Sequence, residues 1–195
     1  MSAKALESRR TDIADALLRA VARGGLSAVS MRVVAAEANC SLGLVQRVMG
    51  TKEELLAAGM QRIIERVEAR AEAAGLDESL PARKFLEGLL LLLTDDDHRE
   101  EGLVWAAFSA QALVTPSLAD GLRGQEDEAQ AAMALVLRSA MAGGDLSADV
   151  NPDGEALTLL CLANGLGTQM LLGRCDGAQA HAAIRTHLDR LFQVR

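Results

Sequence analysis

The stretch from Ser30 to Lys52, SMRVVAAEANCSLGLVQRVMGTK, gathers the residues whose types and spacing could do chemistry. It reads as two very short helices joined by a tight turn, followed at once by the start of a third. An apolar core pattern, Val33, Val34 and Ala38, leads into Asn39-Cys40-Ser41, and a second segment then carries Gly43, Leu44, Gln46 and Arg47. This is the size and rhythm of a helix-turn-helix, a module that lays its second helix in the DNA major groove. The chemistry is that of recognition. No Ser/His/Asp or Cys/His set has supporting context anywhere in the chain, so nothing positive supports an enzyme.

The charge distribution agrees. The net charge is −7, which argues against wholesale coating of nucleic acid. Residues 1–52 nevertheless carry a net +4, and the remainder −11. A basic head on an acidic body suggests that the head meets a polyanion and the body does not.

The elements that must position this stretch are helical. The apolar half of the chain is Ala, Leu and Val with 2% aromatics and no Tyr, which favours helix over sheet. Ile13, Ala16, Leu17, Ala20 and Val21 follow i, i+3, i+4, i+7, i+8 and predict a first helix over 9–23, stopped by Gly24-Gly25. Ser30 and Ser41 are N-caps for the second helix (about 31–38) and the third (about 42–49). Gly50 ends the third. Thr51-Lys52-Glu53-Glu54 is a capping box that opens a long fourth helix, closed by Gly75. Further helices are predicted over about 82–94, 98–113, 115–142, 153–173 and 177–193, with Thr115-Pro116 and Asn151-Pro152 as cap and first residue. The expected fold is therefore all-α with about nine helices. A DNA-binding domain of residues 1–52 precedes a larger domain of 53–195, with the fourth helix as the link.

The runs RRTDIADALLRAVARGG and SMRVVAAEANCSLGLVQRVMGTKEELL resemble the N-terminal domain of TetR-family transcriptional regulators over about residues 9–60. The shared features are the Gly-ended first helix, the Ser cap, the Val-Ala-x-x-Ala core, Ser-x-Gly and Lys-Glu-x-Leu-Leu. The resemblance assigns DNA contact to Ser30, Arg32, Ser41, Leu42, Gly43, Leu44, Gln46, Arg47 and Lys52. It also marks departures. The family's aromatic third-helix positions hold Gln46, Val48 and Met49 here, and its usual Gly after the second helix is Asn39. Gln46 can donate to a phosphate or pair bidentately with adenine. Met49 can fill the space of the missing Phe.

Further along, WAAFSAQAL, TPSLADGLR, ALTLLCLANGLGTQMLLG and AHAAIRTHLDRLF resemble the regulatory domain of the betaine-synthesis repressor type. That resemblance implies a two-fold dimer built on the last two helices, for which Leu159, Leu162, Leu166, Met170, Ile184, Leu188 and Leu191 are the expected interface residues. It also implies an effector pocket between the fourth and eighth helices. Met60, Ile64, Phe85, Leu89, Trp105, Phe108 and Met133 are the lining candidates by periodicity, suited to an apolar or cationic ligand through the Trp105 face. The partners implied are double-stranded operator DNA, a small-molecule effector and a second copy of the chain.

Several signals are set aside. Asp95-Asp96-Asp97-His98 has metal-ligand chemistry, but adjacent residues on a turn rarely converge on one ion, and Asp suits the start of a helix. No metal and no cofactor is expected. His181 and His187 lie six apart and read as interface or surface residues. Gly165-Leu-Gly167 lacks a preceding strand, so it is no nucleotide fingerprint. Cys40, Cys161 and Cys175 form no CxxC pair and imply reduced thiols in the cytoplasm. The polar N-terminus predicts no signal peptide, and the interruptions within 156–173 predict no membrane crossing. The reading is a cytoplasmic, homodimeric, ligand-responsive repressor. The alternative is an all-α ligand-binding or adaptor protein of the same fold that has lost DNA binding, as the missing third-helix aromatics suggest.

Overall fold

The apolar faces and caps resolve into an all-α architecture in the computed structural model, which describes residues 3–77 and 79–193. Nine α-helices occur among the described residues: α1 (Ala3–Gly24), α2 (Met31–Glu37), α3 (Leu42–Met49), α4 (Lys52–Ala73), α5 (Ala82–Leu93), α6 (Arg99–Ala112), α7 (Pro116–Gly143), α8 (Pro152–Leu171) and α9 (Gly177–Leu191). Single 3-10 turns follow α1 at Leu26–Ala28 and precede α6 at Asp96–His98. The first helix starts earlier than its apolar face predicts. Residues 4–10 are exposed, so these turns rest on good helix formers such as Lys4, Leu6, Glu7 and Arg9 rather than on packing.

The packing divides into two units. The first runs to Arg66 and takes in Glu100–Arg123; the second is Val67–Arg99 together with Gly124 onward. The packing boundary in α4 thus falls after Arg66, whereas the sequence reading divides the chain after residue 52. Leu55, Met60 and Ile63 of α4 are buried in the same core as Ile13, Leu17 and Leu18 of α1, Val45 and Met49 of α3, and Val104 and Phe108 of α6. At Gly59 a Cβ would press on Leu17, so glycine lets α4 lie close against α1. The second unit has its own core, with Leu86 and Leu90 of α5, Met133 and Leu137 of α7, Leu159 and Ala163 of α8, and Ile184 and Leu188 of α9.

The acidic run after α5 is structural. Asp95 accepts from Asp97 N–H at 3.0 Å, and Asp96 Oδ2 accepts from Gly177 N–H at 3.0 Å. Asp96 thus adds to the capping box that Asp176 and Gln179 form at the start of α9, where a carboxylate also complements the helix dipole. Both histidines have partners within the second unit. His181 and His187 are half-buried, hydrogen-bonded to the Thr94 carbonyl at 3.2 Å and the Glu155 carboxylate at 2.5 Å.

Candidate nucleic-acid interface

Local chemistry builds the segment from α2 to α4. Ser30 Oγ accepts from Val33 N–H and Ser41 Oγ from Leu44 N–H, each at 3.2 Å, so both serines cap as expected. Asn39 turns the chain with φ +50°, a left-handed conformation that asparagine tolerates. The box at α4 is complete: Glu54 Oε2 accepts from Thr51 N–H at 2.7 Å, and Thr51 Oγ1 accepts from Glu54 N–H at 3.2 Å. Gly50, with φ +76°, makes the turn between α3 and α4, and a Cβ there would collide with the Glu54 carboxylate. The turn and the box need each other.

One face of each short helix goes inward. Val45 and Met49 of α3 are 0% and 2% exposed, so Met49 fills the core where the family pattern has an aromatic ring. Val34 and Ala35 hold α2 inside, whereas Val33, expected in the core, is 42% exposed. The short helix presents one row inward, and Val33 falls beside that row. Leu42 and Leu44 are half-buried and packed on the core, so only part of each remains available outside. Ser30, Arg32, Ser41, Gly43, Gln46, Arg47 and Lys52 are all exposed.

Ion pairing separates the cations into two groups. In the first unit, Arg9 pairs with Asp12, Arg19 and Arg23 with Glu37, and Arg62 and Arg66 with Asp15. Lys4, Arg10, Arg32, Arg47 and Lys52 have no hydrogen bond or ion pair through their side chains to described residues. Three of those five lie between α2 and the first residue of α4. The positive charge left over after internal pairing is thus concentrated where a phosphate backbone would be met.

The pairs that hold this segment are themselves specific. Glu37, at the end of α2, accepts from Arg19 Nε at 2.8 Å and from Arg23, tying α2 back to α1. The Arg23 hydrogen bond first, then that of Arg19, lowers its carboxyl from 4.5 to about 2. A carboxylate depressed in the folded state stabilises it fully above the unfolded value, and this contribution is lost as pH falls through the folded one. Acid unfolding should therefore steepen between about pH 4.5 and 2, and Glu37→Gln should flatten that limb in thermal midpoints measured by circular dichroism from pH 2 to 6. An unchanged acid limb in the variant would count against this clamp.

The remaining candidates fall in both units. Met60 and Phe108 are 2% and 0% exposed in the first core, and Ile64 and Trp105 are half-buried in the same unit. Met133 is 3% exposed in the second core, with Phe85 and Leu89 half-buried against it. Of the expected dimer residues, Leu159, Ile184 and Leu188 are fully enclosed in the second unit, which corrects their placement at an interface. Leu162, Leu166, Met170 and Leu191 are half-buried. The outward face of α8 instead carries Leu157, Cys161 and Gly165, spaced i, i+4, i+8. All three cysteines are free. Among the described residues no group of three or more His, Cys, Asp or Glu is placed to hold a metal, and no helix is long and apolar enough to cross a membrane.

A helix-turn-helix with an exposed, cation-bearing face, in a chain that is otherwise helical, defines a DNA-binding transcriptional regulator. Comparison with known proteins agrees. Residues 81–193 match the family model described as BetI-type transcriptional repressor, C-terminal. The chain is 30% identical over 189 residues to the HTH-type transcriptional regulator PksA of Bacillus subtilis, covering 96% of this chain and 86% of that one. A TetR-family transcriptional regulator of Rhodococcus sp. superposes with a TM-score of 0.88 at 27% identity, over 96% of this chain and all of that one. A transcriptional regulator from Saccharomonospora viridis, solved in complex with choline, has a TM-score of 0.80 at 24% identity, over 94% and 96% of the two chains. The chain belongs to the TetR family of transcriptional regulators, with a C-terminal domain of the BetI type.

Proposed function

We propose that this protein is a homodimeric repressor that binds operator DNA through α3 and is released by a small, largely apolar or cationic effector. The observation that carries the reading is the set of exposed Arg32, Arg47 and Lys52, none with a side-chain partner among the described residues, around an α3 whose Gln46 is likewise exposed and unpaired among them. Arg32 and Lys52 meet phosphates, and Gln46 and Arg47 face the groove. Two observations speak against a ligand-binding protein that has lost DNA binding: a buried Met49 fills the space of the missing Phe, and the exposed Gln46 and Arg47 have no side-chain partner among the described residues. A gel shift against DNA flanking its own gene, run at several ionic strengths, tests the reading. Sequence-specific binding that weakens steeply with salt is expected. Its absence at every ionic strength would sink the repressor.

Dimerisation uses the outward face of α8. A two-fold pair presents two recognition helices to half-sites about 34–36 Å apart. Gly165 is suited to a test, because a Cβ added there meets nothing within 4 Å of its own protomer. Gly165→Glu should leave the helical spectrum unchanged, shift the light-scattering mass from dimer to monomer and weaken operator binding. A monomeric wild type would overturn the dimer.

Effector release works through α4, whose first turn is joined to α3 by Gly50-Thr51. A ligand can shift DNA binding only by its differential affinity for the two states, typically about 1–3 kcal/mol. Within the first unit, Ile64 and Trp105 retain surface to offer a ligand, and the Trp105 ring suits a cation. Choline is the first compound to try, because it occupies the Saccharomonospora structure.

A further inference from the structure

The outward surface of α3 is narrow. Gly43, Gln46 and Arg47 follow i, i+3, i+4 as one exposed stripe of α3, and the turn residue Gly50 comes next after the helix end. Gly43 has no side chain, so only Gln46 and Arg47 extend from that stripe. Val45, Val48 and Met49 are buried, and Leu42 and Leu44 are packed on the core. The Ser41 hydroxyl is already engaged by Leu44 N–H. Apart from Gln46 and Arg47, the outer surface of this eight-residue helix offers only the exposed parts of Leu42 and Leu44.

Resting on the DNA-binding reading above, we propose that each α3 reads two neighbouring base pairs directly, with Gln46 on an adenine and Arg47 on a guanine, and that these two residues set the operator's base preference. The chemistry of the two side chains decides the bases. A Gln carboxamide matches the N6 donor and N7 acceptor of adenine, and a guanidinium fork matches the O6 and N7 acceptors of guanine. Neither side chain has a hydrogen bond or ion pair to the described residues, so neither must break such a bond to reach a base. Gly43, one turn earlier on the same stripe, has open space where a side chain would stand, which lets the helix backbone approach the groove floor. The two readers are adjacent in sequence, about 1.5 Å apart along the helix axis, so they address adjacent steps of the groove. Backbone contact is left to Arg32 and Lys52, on the helices before and after. Direct readout is therefore short, and the remaining selectivity of a longer operator lies in half-site spacing and DNA shape.

The test is selection of a random duplex library by the full-length protein at fixed ionic strength, with sequencing of the bound fraction. It is repeated for Gln46→Ala, Arg47→Ala and Arg47→Lys. Both positions are exposed and helical, and equal thermal midpoints confirm intact folds. The wild type is expected to enrich half-sites with adjacent A and G. Gln46→Ala should flatten preference at the A and lose about 5- to 150-fold on the selected site. Arg47→Ala should do the same at the G. Arg47→Lys should keep affinity for unselected DNA while losing much of the preference for G, since a point charge lacks the fork. The proposal is overturned if Gln46→Ala weakens all sequences equally and lowers the salt slope by about one, which marks a phosphate contact. It is also overturned if the variants retain the wild-type motif. Failure of the wild type to enrich any sequence is a separate outcome that removes the DNA-binding reading itself.

Discussion

Phe108→Ala is expected to lower the unfolding free energy by about 3–5 kcal/mol, the range for deleting a buried aromatic ring. Phe108 is 0% exposed on α6 and shares its buried cluster with Ile13 and Leu17 of α1, Met60 of α4 and Val104. Truncation removes the transfer energy of the ring and leaves a cavity that helices from three parts of the chain must close around. The variant therefore reports on what Phe108 does. As a core residue, it shifts the urea midpoint strongly, and added apolar ligand does not restore wild-type stability. A loss below about 1 kcal/mol would mean that the ring faces space and not neighbours. Phe108 would then return to the lining of an effector pocket. Trp105 and Phe85, half-buried, provide the contrast.

Asp15→Ala is expected to cost about 1–3 kcal/mol. Asp15 on α1 accepts from Arg62 Nε at 2.7 Å and from Arg66 at 3.1 Å, both on α4, and Arg66 continues to Glu101 of α6 at 3.3 Å. Burial pushes the Asp15 carboxyl up, but the hydrogen bond from Arg62 and the charges of Arg66 and Arg62 outweigh it, and the net shift is downward. Removing the carboxylate leaves two guanidiniums, 26% and 28% exposed, with only Glu65 and Glu101 as partners and no tie from α4 to α1. The cost falls short of the 3–5 kcal/mol of a fully buried broken pair because water still reaches all three groups. Asp15→Asn keeps the shape and one acceptor and should fall in between. Urea unfolding followed by circular dichroism measures both, and a loss under about 0.5 kcal/mol for Asp15→Ala would show the network to be ordinary surface pairing. Because this network fixes α4 against α1, the same variants should also change how operator affinity responds to an effector.

The sequence by itself determined the helices, their ends and the recognition module. These are local matters. An apolar row at 3.6-residue spacing, a serine before it, a glycine after it and a Thr-x-x-Glu box each act within one or two turns, so Ser30, Ser41, Asn39, Gly50 and Thr51 could be assigned their places from neighbours alone. Met49 as a core filler was legible for the same reason.

Tertiary structure decided whatever depends on a distant partner. α8 is apolar on several sides, so periodicity does not separate the inward Leu159 from the outward Leu157, and only packing against α5 and α9 makes the choice. The division between the two units follows the core that α4 shares with α1 and α6, not the end of the helix-turn-helix. Asp96 caps a helix 81 residues away. Above all, a count of basic residues treats Arg19, Arg23, Arg32 and Arg47 alike. The fold pairs the first two with Glu37, whereas Arg32, Arg47 and Lys52 have no side-chain partner among the described residues, because charge pairing is set by three-dimensional distance and not by position along the chain.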